Sequence, residues 1–198
     1  MLWNASSIRG YSVFASGELV GTVKDFVFDE LAWTIAGLLV DTGSWLSSKV
    51  VHVPVSAFGQ PVAETKQITL KSAPGSLADS PDGEADRIGA GLRALAPLDK
   101  ATVEGSDEHV GSVVDYLIDT AGWRIRYLVI NPSDPLSEER VLVPVQTVAT
   151  IDYPGATLTL TATHRFVRES LHYDPNQTVD GAYDESFLTY YGIRFVKK

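Results

Sequence analysis

A shift of 90 residues lays this chain onto itself: residues 8–70 align with 98–160 without a gap, and 19 of the 63 pairs are identical. Unrelated sequences give about one identity in fifteen, so the excess marks a duplicated structural unit. The identities include Val20/Val110, Gly21/Gly111, Val23/Val113, Asp25/Asp115, Asp29/Asp119, Trp33/Trp123, Ile35/Ile125 and Leu38/Leu128. The triplet Val53-Pro54-Val55 recurs as Val143-Pro144-Val145. A unit of this size is too long for one solenoid turn, and two copies are too few for a propeller, so each copy is expected to be a small domain.

Within each copy the local signals are those of strands. Val20 to Asp29 and Val110 to Asp119 are rich in β-branched and aromatic residues and end in an Asp turn; Trp33 to Val40 and Trp123 to Ile130 follow at hairpin spacing. Lys49 to Val53 and Arg140 to Val143 run into a proline, which donates no ladder hydrogen bond and belongs at a strand end. Short strands at Gln67 to Lys71 and Thr157 to Thr161 complete the unit. Several short strands with tight turns predict an all-β chain of two small closed barrels, closure removing the exposed sheet edges.

The boundaries follow from composition. The first barrel is expected over 1–72 and the second over 96–163. A Pro/Gly/Ser linker over 73–95 separates them, with a short helix expected at Ala85 to Leu95 and weakened by Gly89 and Gly91. Residues 164–198 form a C-terminal extension in which Tyr183, Phe187, Tyr190 and Tyr191 fall at helical spacing before Gly192. That aromatic stripe predicts a short helix with a docking face.

The order Gly21, Val23, Asp25, Asp29, Trp33, Leu38, Val53-Pro54-Val55, repeated 90 residues on, resembles the PRC-barrel family. This is the small β-barrel of the cytoplasmic part of the photosynthetic reaction centre H subunit and of the C-terminal half of a bacterial ribosome-maturation factor. The run Tyr183 to Gly192, ending Tyr-Tyr-Gly, is similar to a tail that follows this barrel in free-standing bacterial proteins. The resemblance implies the fold and a role in assembly or interaction; it implies no catalytic residues.

Charge and composition narrow the partners. The chain has 198 residues, 16 basic and 25 acidic side chains and a net charge of -9, which disfavours nucleic acid and anionic membrane surfaces. It has no cysteine, so thiolate metal sites, disulfides and cysteine nucleophiles are excluded. Apolar runs such as Ile35 to Val40 fall short of the roughly 20 residues of a membrane span, and Met1 to Arg9 does not read as a signal peptide. A soluble, cytoplasmic, non-enzymatic protein without a cofactor is the expectation.

Asp25 and Asp29 lie on one strand face about 13 Å apart, too far to share a metal unaided; Asp29 and Asp119 fit turn positions. Asp25 and Asp115 remain an alternative ligand set for a cation or small molecule in a cleft between the barrels. His52, His109, His164 and His172 show no metal spacing, and His52 gives way to Leu142 in the second copy, as an edge or surface histidine would. No Gly-x-Ser-x-Gly elbow is present, and Gly89-Ala90-Gly91 lacks the strand and third glycine of a dinucleotide loop. In Trp123-Arg124-Ile125-Arg126-Tyr127 simple alternation puts both arginines on one face and Trp123, Ile125 and Tyr127 on the other, a solvated or protein-facing strand. The first copy has Thr34 and Ala36 at the arginine positions. The loop tip Trp45-Leu46 and the tail residues Phe187, Tyr190 and Tyr191 are the candidate surfaces for a protein partner or a second copy of the chain.

Overall fold

Asp29 and Asp119 set the central turn of each copy. In the computed structural model, which describes residues 2–43, 49–71, 91–133 and 139–174, Asp29 Oδ1 accepts from the Leu31 and Ala32 amides, and Asp119 Oδ1 from that of Ala121. The turn then delivers Trp33 and Trp123 in the left-handed region, at φ 53° and 48°. A non-glycine residue tolerates that conformation when its side chain is anchored, and both indoles are buried.

In chain order the elements are β1 (Leu2–Asn4), α1 (Ala5–Ile8), β2 (Ser12–Ala15), β3 (Glu18–Asp29), β4 (Thr34–Asp41), β5 (Val50–Pro54), β6 (Gln67–Leu70) and β7 (Leu92–Ala94). They continue with β8 (Thr102–Glu104), β9 (His109–Asp119), β10 (Arg124–Pro132), β11 (Arg140–Pro144), β12 (Val148–Asp152), β13 (Thr157–Leu160), α2 (His164–Arg168) and β14 (His172–Tyr173). The chain is mostly β, and β5 and β11 end at their prolines. No helix among the described residues is long and apolar enough to cross a membrane.

All these strands join one hydrogen-bonded sheet along the path β12-β13-β8-β9-β10-β4-β3-β2-β6, with β5 on β4, β11 on β10 and β14 on β11. The copies meet where β4 crosses β10: Thr34 pairs with Arg124, the Ile35 amide donates to Trp123 O (2.7 Å) and the Ile125 amide donates to Trp33 O (2.8 Å).

The remaining two strands are exchanged. β1, ahead of the first copy, pairs with β9 of the second through Leu2/Asp119, Trp3/Ile118 and Asn4/Leu117. β7, ahead of the second copy, pairs with β3 of the first through Leu92/Asp29, Arg93/Phe28 and Ala94/Val27. Each pairing becomes the other when 90 is added to or subtracted from its numbers, which defines an approximate twofold axis. The expected helix over Ala85 to Leu95 is therefore corrected where it is described: residues 92–94 are a strand, because pairing to β3 outweighs a local helical preference that glycines already weaken.

A β-bulge gives the exchanged strands something to cover. Lys24 in β3 and Val114 in β9 are the extra residues of their ladders. After each bulge the alternation flips: Phe26, Phe28, Tyr116 and Ile118 turn into the main core, while Val27 and Leu117 turn to the opposite face. There Leu92 and Ala94 pack over Val27 and Leu39, and Leu2 packs over the cluster of Leu117 and Val129. The main core is one continuous cluster drawing on both copies, Trp33 and Trp123 among its members, rather than a separate core for each expected small domain. Gly21 and Gly111 recur where β3 and β9 pass close to the next strand: a Cβ at Gly21 would lie 2.5 Å from Asp41 O, and one at Gly111 would collide with Asn131 O.

Candidate functional site: the seam between the copies

Two self-equivalent pairs lie on the approximate axis. At one end Arg9 meets Asp99, with Nη1 to Oδ2 at 2.6 Å; at the other, Thr34 faces Arg124. A symmetric pair at the first position would set like charges against each other, and the copies have diverged there into opposite signs.

Arg9 also reaches Asp25, donating from Nε (3.1 Å) and Nη2 (2.8 Å) to Oδ1. Burial opposes the Arg9 charge, but the carboxylates of Asp25 and Asp99 outweigh it and raise its pKa. Burial raises the pKa of Asp99, against the pull of Arg9. The second oxygen of Asp25 accepts from the Ala96 amide at 2.8 Å, at the start of the helical turn that follows β7.

Asp115 does the equivalent service for the other exchanged segment. Its Oδ1 accepts from the Ser6 amide (3.1 Å) and the Tyr116 amide (2.8 Å), and its Oδ2 from Asn4 Nδ2 (2.8 Å) and the Ser6 hydroxyl (2.5 Å). Asp25 and Asp115 thus each hold the segment that precedes the other copy, and their oxygens are engaged by N–H and O–H donors. Nearby, the Tyr116 hydroxyl donates to Leu98 O at 2.8 Å, and burial, with Asp99 adding to it, raises its pKa well above the ordinary value. Arg93 lies over the Tyr153 ring at 5.4 Å, a further contact across the seam.

The histidines are dispersed. His109, His164 and His172 each face a different glutamate, Glu104, Glu108 and Glu139, at 3.0 to 3.1 Å. Among the described residues there is no group of three or more His, Cys, Asp or Glu side chains placed to hold a metal. Trp45, Leu46, Phe187, Tyr190 and Tyr191 lie outside the described residues, as does the expected tail helix.

At the Thr34/Arg124 end a cavity of about 330 Å³ opens between the copies. Leu31, Ala32 and Trp33 line it from the first copy; Arg124, Ile125, Arg126, Val145, Gln146 and Val148 line it from the second. Sequence alternation misplaced one residue here. Arg126 is the extra residue of a bulge in β10, so Ile125 enters the main core while Tyr127 turns to the opposite face with Leu117. Both arginines nevertheless border the same cavity. No spacing rule signals this, because the cavity's other wall comes from the other copy.

No curated protein matches this chain in sequence. A family model of the PRC-barrel domain matches it twice, over residues 4–77 and 97–166, and leaves β7 and nearly all of β1 ahead of the matched segments. With both copies matched over most of the sequence, the chain belongs to the PRC-barrel family.

Proposed function

We propose that this protein is a soluble, cytoplasmic, non-enzymatic scaffold or protein-interaction module made of two PRC-type barrels in tandem, and that it associates with itself or with another protein. The observation that carries the proposal is the exchange of β1 and β7. It ties each copy to the segment ahead of the other, clasped by Asp25 and Asp115, the most buried carboxylates among the described residues. Two interlocked, related copies are suited to holding partners in a fixed relation, and the net charge of -9 favours proteins over nucleic acid as those partners. Trp45, Leu46, Phe187, Tyr190 and Tyr191, apolar or aromatic in the sequence, are the contact residues in this reading.

Analytical ultracentrifugation over a wide concentration range tests self-association. The full chain is expected to dimerise or form a larger assembly, and a Trp45→Ala or Tyr190→Ala/Tyr191→Ala chain to shift toward monomer. A full chain that stays monomeric throughout removes self-association. Proteins recovered with the tagged chain from its native host then decide whether a different partner occupies the surface.

A further inference from the structure

We propose that the seam cavity is a binding site for a small organic anion, a carboxylate or phosphate carried on an apolar body. The two charged side chains that line it are both arginines, Arg124 and Arg126, in a chain whose net charge is -9. Guanidinium groups offer forked donors that match carboxylate and phosphate oxygens two at a time. The opposite wall is lined by Leu31, Ala32 and Trp33, of which Trp33 is buried and Leu31 is 92% exposed. An anionic head between the arginines places an apolar body against Trp33 and Leu31, covering a leucine otherwise left in water. The volume of about 330 Å³ falls at the small end of ligand cavities, which run from roughly 300 to 1,000 Å³.

The duplication supplies an internal comparison. The equivalent positions in the other copy hold Thr34 and Ala36 in place of the two arginines, and the bulky Phe58 in place of Val148. There Gln60 reaches across the seam, its Nε2 donating to Thr120 O at 3.0 Å. One side of the seam is thus crossed by the Gln60 side chain, while two arginines line the cavity on the other. The directly opposed carboxylate, Asp119 across the ladder from Arg124, is turned to the amide of Ala121. Anion binding here is independent of whether the chain self-associates.

Titration calorimetry and amide/indole NMR on the full chain test the site, with phenylacetate and phenyl phosphate as probes and benzyl alcohol as the neutral comparison. Both anions are expected to bind at least tenfold more tightly than benzyl alcohol and to shift the Trp33 indole resonance. The Arg124→Thr/Arg126→Ala chain, which takes the residues of the other copy, is expected to stay folded and to lose at least tenfold in affinity. Arg124→Gln, at an exposed position, serves if the double variant folds poorly. Flat titrations with both anions, equal binding of benzyl alcohol, or undiminished binding in a folded arginine variant overturn the proposal. A further arm identifies the source of the anion: acetyl-Gly-Phe with a free carboxylate, against its amide, reports a protein C-terminus if it outbinds phenylacetate, and a free metabolite if it does not. Either result upholds the shared chemistry.

Discussion

His52 lies over Gly37 on the outer face of the first copy, so closely that a Cβ at Gly37 would overlap its ring. The second copy fills the same space with Leu142 and Tyr127, trading a large residue above a small one for two apolar side chains. His52 Nε2 is buried without a hydrogen-bond partner, and burial pushes its pKa below the ordinary value. The folded state therefore binds this proton less readily than the unfolded chain. Stability contributed by neutral His52 is complete above about pH 6.5 and is lost as pH falls from there through the lower folded pKa. Urea unfolding at pH 7.5 and 5.0 is expected to show a smaller difference in a His52→Leu chain than in the parent; an equal difference would remove His52 as a contributor. Leu142 in the other copy marks this position as tolerant of an apolar side chain, but the packing over Gly37 is not legible in the sequence, since a glycine in a strand carries no label of what lies above it. A second residue-scale contrast concerns Arg9, which is 21% exposed and serves both a buried and a half-exposed carboxylate. Arg9→Ala leaves Asp25 buried beside an empty space and is expected to cost about 2–3 kcal/mol, at the lower edge of what breaking a buried pair costs. Asp99→Ala removes a screened partner and is expected to cost about 1 kcal/mol or less in the same denaturation experiment. Equal losses would show that the two carboxylates share Arg9 on level terms.

Strand exchange is the element-scale feature that the sequence conceals. The repeat is legible because matched strands keep Val, Gly, Asp and Trp in step, and hairpin, turn and strand-ending proline follow from it. Ahead of the aligned region, however, β1 and β7 share only Leu2/Leu92, and an offset of 90 identifies which residues correspond without saying which copy they pack against. The same limit hid the clasping role of Asp25 and Asp115, whose amide donors lie 71 and 109 residues away. The bulges at Lys24, Val114 and Arg126 were equally silent, since one extra residue in a ladder leaves the composition of the strand untouched. Exchange has a consequence that intuition about sequence neighbours reverses. Deleting residues 1–7 removes β1 from β9, along with Asn4 and Ser6 from Asp115 in the second copy and Asn4 Oδ1 from the Tyr173 hydroxyl in β14, which pairs with that copy. Hydrogen exchange on the truncated chain is expected to lose protection by tenfold or more at residues 117–119 and around Tyr173, with β2 and β6 less affected. Loss concentrated in the first copy instead would contradict the exchanged pairing.

At the scale of the whole molecule the chain is built like a homodimer whose two halves were joined and then allowed to differ. Joining permits what symmetry forbids: on an axis, a true dimer must set each residue against itself, whereas here Arg9 meets Asp99 and Thr34 meets Arg124. The charges on the axis should therefore specify which half pairs with which. If residues 1–72 and 91–174 are produced separately, two copies of the first fragment place Arg9 against Arg9, and two copies of the second place Asp99 against Asp99 and Arg124 against Arg124. Only the mixed pair restores the Arg9/Asp99 contact. Like charges about 4 Å apart near a protein surface repel by about 4 kcal/mol before screening, and the exposure of Asp99 reduces this to about 1–2 kcal/mol. A preference of that size favours the mixed pair by roughly tenfold over the statistical proportions, since 1.4 kcal/mol is a factor of ten. The shared core and the exchanged strands also require a partner for either fragment to bury Val27 or Leu117, so neither is expected to persist as a folded monomer. Native mass spectrometry of the mixed fragments at low salt is expected to show the heterodimer in excess, and the Asp99→Ala form of the second fragment to bring the mixture back toward statistical proportions. Statistical proportions with the unaltered fragments would show that the charges on the axis are without effect on the pairing.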